Sequence, residues 1–181
     1  MPRAELTGEA IRPGLLCELL AEPEVMGLLA LMLLHESRRA ARTSGAGDLI
    51  LLEEQNRALR DRNQISEGIA LVERALQSHR FGSYTLQAAI AAVHAEADSA
   101  AATDWRQITM LYDRLAQIQS SPVVEPNRAV AIATIDGPEA GLSLIHGLLA
   151  RDELARYHLA YSARADFVPQ AGAKRRGPVF V

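Results

Sequence analysis

Apolar residues return every three or four positions along most of this chain. Beyond Asp61, the residues Ile65, Ile69, Val72 and Leu76 fall at steps of four, three and four, which sets them on one face of a helix running to about Ser78. Asp61 and Gln64 have the spacing of a capping box in front of it. Phe81-Gly82-Ser83 breaks the pattern, and Leu86, Ile90, Val93 and Ala97 rebuild it in a helix from about Tyr84. Asp98 to Ala102 reads as a loop. Asp104 with Gln107 repeats the capping spacing, and Trp105, Ile108, Leu111, Leu115 and Ile118 give a near-heptad seam to about Gln119. Ser121-Pro122 then opens a helix to about Ile135. Asp136-Gly137-Pro138 packs a stop and a restart into three residues, and a helix from Pro138 to Leu149 follows with Leu142, Ile145 and Leu149 inward.

The flanks are less regular. A first helical segment spans about Ala4 to Leu20, with Pro13-Gly14 predicting a kink or a late start. The second begins at Glu22-Pro23-Glu24, where Pro23 suits the first helical position and Glu24 complements the positive helix end, and runs to about Arg42. Its stretch Val25 to Leu34 is apolar all round, which predicts the central helix of the core with Val25, Leu28, Leu29, Met32 and Leu33 largely buried. Thr43 to Gly47 is a turn, and Asp48 to Leu52 reads as an extended linker followed by a short helical turn. At the other end Asp152 caps a helix carrying Leu154, Tyr157, Tyr161 and Ala165 to about Val168. Beyond Pro169 the helical period stops, and residues 169–181 read as an irregular tail.

These elements predict an all-α fold: one helical domain over residues 1–168, built as an antiparallel array of six or seven helices. Arg128-Ala129 recurs as Arg164-Ala165 and Gly137 as Gly172, a spacing near the ~34 residues of tetratricopeptide-like helix pairs. Ala and Leu supply most of the 49% hydrophobic residues, a helix-forming stock that excludes an all-β protein. Charged residues make up 23% and the net charge is -3, without the basic footprint of a nucleic-acid binder. The longest apolar run falls well short of the ~20 residues of a membrane span, and Met1 to Glu9 has no apolar stretch resembling a signal peptide. With the single cysteine Cys17, these features predict a cytoplasmic protein.

Candidate chemistry is sparse. His35-Glu36 begins a zincin motif, but Arg39 stands where the second His is required, so the expectation is a surface pair between Glu36 and Arg39 or Arg38. His94 and Glu96 near a helix end, with Asp104 downstream, form a second cluster; a protonated His94 would suit the negative end of the helix. Asn127 and Arg128 stand in a helix otherwise made of Val, Ala and Ile. There is no nucleophile in a recognised turn and no Gly-rich loop after a strand, so no enzyme activity, metal site or cofactor is expected. Trp105 and Tyr112 are read as structural.

Three stretches, taken together, carry a resemblance. They are Glu24 to His35 with Arg38-Arg39-Ala40-Ala41-Arg42; Leu86 to Ala97 with Thr103 to Ile108; and Ser121 to Val124 with Asn127 to Ala131 and Asp136-Gly137-Pro138. They resemble the helical, tetratricopeptide-like C-terminal extension of extracytoplasmic-function RNA polymerase sigma factors, over about residues 5 to 168. The resemblance implies a non-catalytic regulatory or interaction module of a transcription initiation factor. Its partner would be the upstream sigma-factor domains or RNA polymerase, and no promoter-reading residue carries over, so direct nucleic-acid binding by this chain is not expected. Past Asp166 the sequence departs from the family, with Phe167-Val-Pro-Gln and a short basic tail. Cover for the last apolar stripe would then come from Val179 to Val181 or from a symmetric homodimer. A small-molecule- or metal-binding helical domain using His35, His94, Glu96 and Asp104 is the alternative, and convergence of those side chains on one pocket would favour it.

Overall fold

The computed structural model describes residues 22–119 and 124–150. Within them lie six α-helices: α1 Pro23–Glu36, α2 Arg62–Gln77, α3 Ser83–Glu96, α4 Trp105–Ile118, α5 Val124–Asp136 and α6 Pro138–Ala150. Two short 3-10 turns, Arg39–Ala41 and Arg57–Leu59, interrupt the linker between α1 and α2. Among the described residues the one β feature is an isolated antiparallel bridge between Thr43 and Leu49. The fold is all-α, with successive helices packed antiparallel from α2 onward and α1 laid against both α2 and α3. The helices expected over 4–20 and 152–168, the tail 169–181 and the second copy of the Arg-Ala repeat lie outside the described residues.

Helix starts follow the local chemistry. Asp61 caps α2 by accepting from the backbone N–H groups of Asn63 and Gln64, and Asp104 caps α4 by accepting from Gln107. The first of these is half a capping box, because the Asp61 N–H donates to Ser37 O instead and Gln64 Oε1 is buried without a partner. Gly137, at φ 95°, ends α5 and lets Pro138 begin α6 at once. Helix α1 stops at Glu36, earlier than the expected Arg42. Ser37 is buried, its hydroxyl donates to Leu34 O, and its own carbonyl is taken by Asp61, which turns the chain into the 3-10 segment.

The centre of the core is α3, not α1. Ala88, Ala89, Ala92 and Ala95 face α1 and α2 in one apolar cluster with Met26, Ala30, Leu34, Ile65 and Val72. Leu86, Ile90 and Val93 belong to a second cluster with Ile108, Tyr112, Leu115 and Val124. Small side chains on one face of α3 admit two helices, while large ones on the other meet α4 and α5. By contrast, the described helices pack against one side of α1: Leu33 is buried as expected, but Leu28 and Met32 are each 38% exposed, and Val25 and Leu29 are half-buried. For these last four the expected burial does not hold, because an apolar run without a polar face gives no sign of which side is covered.

Two contacts fix α1 against α3. A Cβ on Gly27 would lie 2.5 Å from the backbone nitrogen of Thr85, so the helices cross at a distance that only glycine permits. Just before it, Glu24 reaches across to the start of α3. Its Oε1 accepts from Gly82 N at 2.7 Å, Thr85 N at 3.1 Å and Thr85 Oγ1 at 2.8 Å, and its Oε2 from Tyr84 N at 2.9 Å. The carboxylate thus caps the positive end of a neighbouring helix as well as suiting its own.

Candidate functional site

A cleft of about 510 Å3 opens between α1, the α1–α2 linker, α3, α4 and α5. Its apolar lining is formed by Leu31, Ile90, Ala91, Leu115 and Val124, with the ring of Tyr112. The polar side is formed by His35, Arg38, Arg42, Arg60, His94 and Asn127, and no Asp or Glu is among the described residues that line it. The six residues singled out from sequence therefore divide. His35, His94 and Asn127 meet in this cleft. Glu96 and Asp104 are exposed and outside it, Asp104 serving as the α4 cap. Arg128 ties α5 to α4 through Asp113 at 2.6 Å and reaches Glu125 at 3.6 Å. Among the described residues no group of three or more His, Cys, Asp or Glu side chains could hold a metal ion.

Both cleft histidines are neutral in the fold. His35 is pushed down to about 4, first by burial and then by the charges of Arg38 and Arg42. Arg38 Nη2 donates to His35 Nδ1 at 3.1 Å, which assigns the ring proton to Nε2. His94 is likewise pushed down to about 4, by burial and by Arg38, Arg57 and Arg60. Its ring meets Trp105 edge to face, with centroids 5.3 Å apart. The protonated His94 expected from the helix end is thereby corrected. Arginines occupy that end instead: Arg57 Nη1 donates to His94 O and Ala97 O, and Arg60 Nη1 donates to His94 O at 3.0 Å. Guanidinium groups satisfy carbonyls at the end of α3, and their charges oppose a further positive charge on the ring.

The arginine cluster is what sequence reasoning missed. Arg38 and Arg42 fall in a stretch quoted for the resemblance, but nothing local marks them as converging. Arg57 and Arg60 fall in or beside a 3-10 turn with no helical period to mark which way they face. The expected Glu36 to Arg39 pair does form on the surface, at 2.8 Å. Arg60 is the unusual member. It is only 7% exposed, and its Nε and Nη2 have no hydrogen-bond partner. Burial and the neighbouring Arg57, Arg38 and Arg62 bring its pKa down to about 10, which leaves it charged at neutral pH. A buried guanidinium without a counter-charge costs stability.

No helix among the described residues is long and apolar enough to cross a membrane. An uncharacterized protein of Rhizobium meliloti (strain 1021) is 45% identical to this chain over 171 residues, a match that takes in 93% of the chain and 40% of the relative. The chain thus spans about two fifths of the length of that curated relative. No solved structure gives a significant match. Over residues 1–76 the chain matches DUF6596, a family of unknown function, and that stretch carries α1 together with the whole arginine-bearing linker.

Proposed function

We propose that this chain is a non-catalytic regulatory module, the sensory extension of an extracytoplasmic-function sigma factor, built from tetratricopeptide-like helix pairs and acting on RNA polymerase or on upstream sigma-factor domains in the cytoplasm. One observation carries the reading. The three separated stretches that resemble that extension each supply the same cleft: His35, Arg38 and Arg42 from the first, His94 from the second, Val124 and Asn127 from the third. Shared sequence that gathers on a concave surface fits recognition better than packing alone. The greater length of the Rhizobium meliloti relative leaves room for further domains beside such a module.

The longer relative provides the test. Mixed with core RNA polymerase, it is expected to support promoter-dependent transcription, and deleting the segment equivalent to this chain should change the yield of transcript while polymerase binding persists. Failure of the relative to associate with core polymerase would overturn the sigma-factor reading. Of the four side chains behind the alternative raised by the sequence, His35 and His94 line the cleft while Glu96 and Asp104 lie outside it, so that alternative keeps support only in its small-molecule form, with Asn127 and the arginines as the other polar lining.

A further inference from the structure

We propose that the cleft binds a small amphipathic carboxylate, with the acid group at the arginine side and an apolar tail along Leu31, Ile90, Leu115 and Val124. This rests on the cleft being a recognition site and not on the transcriptional role.

The charge argument is direct. Arg38, Arg42 and Arg60 line the cleft together, and among the described residues no lining carboxylate neutralises them and none of the three enters an ion pair. Three cations in one cleft, backed by Arg57, repel one another and call for an anion.

The geometry narrows the anion. Arg60 Nη1 is committed to His94 O, and the two nitrogens left without partners, Nε and Nη2, form the side-on edge of the guanidinium. That edge presents two parallel N–H groups, the fork that takes both oxygens of one carboxylate. These atoms lie beneath the cleft surface, so the carboxylate meets Arg38 and Arg42 first and reaches Arg60 by a small outward shift of the linker. The apolar wall selects against a bare phosphate, which would leave most of the cavity unfilled. A volume of about 510 Å3 suits one small organic molecule. Asn127, on α5, adds a neutral polar group to the lining and can orient a hydroxyl or carbonyl of the ligand.

Trp105 gives a built-in reporter, since its ring touches that of His94, which lines the cleft. Purified full chain is titrated with phenylbutyrate and octanoate, with phenylbutanol and inorganic phosphate as comparisons, by calorimetry and by Trp105 emission. Saturable one-to-one binding of at least one carboxylate is expected, with the alcohol weaker by about tenfold or more and phosphate not saturating. Arg42→Gln and Arg38→Gln should each weaken carboxylate binding by about tenfold while the chain keeps its helical content. Arg60→Gln should weaken it further; because Arg60 also holds the end of α3, the two more accessible arginines decide the matter if that variant unfolds. Failure of every carboxylate to bind, equal binding of acid and alcohol, equal binding of phosphate, or unchanged affinity in both Arg38→Gln and Arg42→Gln would overturn the proposal. None of these results depends on polymerase, so this inference and the sigma-factor reading fail separately.

Discussion

His94 shows how far a residue's chemistry is set by neighbours remote in sequence. Its position near a helix end suggests a favoured imidazolium, yet burial and arginines 34 and 37 positions away keep it neutral. A group whose pKa is lowered by folding adds stability above its unfolded value, and that stability is lost as pH falls toward the folded value. For His35 and His94 the window runs from 6.5 down to about 4, with on the order of 2 to 3 kcal/mol at stake for each. Glu24 acts in the same direction lower down. Burial would raise its carboxyl, but the hydrogen bonds from Tyr84, Thr85 and Gly82 outweigh it and hold the group below 4.5. Denaturant melts should therefore show stability falling from neutral pH to about 4.5, and Arg38→Gln should raise both histidine titrations and make that fall shallower. A pH-independent midpoint over this range would refute the neutral-histidine assignment. The caps Asp61 and Asp104 were legible in the sequence because their partners lie two or three residues away. The arginines were not, because their partners are 34 to 40 positions distant.

At the scale of elements, amphipathic stripes and turn residues located α2, α3, α4 and the α5–α6 joint to within a few residues. They failed on rank. The apolar run in α1 suggested the central helix, whereas alanine-rich α3 holds that place because small side chains let helices approach from two sides. The contact that reveals this is Gly27 against Thr85. In a solvent-facing helix Gly→Ala stabilises by roughly 0.5 to 1 kcal/mol. At Gly27 the added methyl would meet the backbone N and Cα of Thr85 as well as its Oγ1, and the backbone cannot swing aside, so Gly27→Ala should lower stability by about 1 to 3 kcal/mol or more. An unchanged or raised melting temperature would mean that α1 and α3 cross less closely than described.

For the whole molecule, the net charge of -3 hid a concentrated positive wall, because composition averages over position. The order of the helices was readable, but the cleft was not: it needs five segments brought together, and its lining residues are spread from Leu31 to Asn127. The linker that supplies its arginines has one more consequence. Between α1 and α2 it projects a small hairpin, closed by Ile50 N to Arg42 O and Ser44 N to Asp48 O, each 2.8 Å, with Leu49 78% exposed at its side. Trypsin should cut early after Arg42, since that residue is exposed at the root of a short hairpin held by few hydrogen bonds, with glycines at 45 and 47 in its turn. The nick would separate α1 from all the helices that follow, yet α1 is held to α2 and α3 by burial and by the Glu24 and Gly27 contacts, not by the peptide that is cut. The two pieces should accordingly co-elute under native conditions and part only in denaturant; if they separate on nicking, continuity of the chain, and not packing, is what keeps α1 in place.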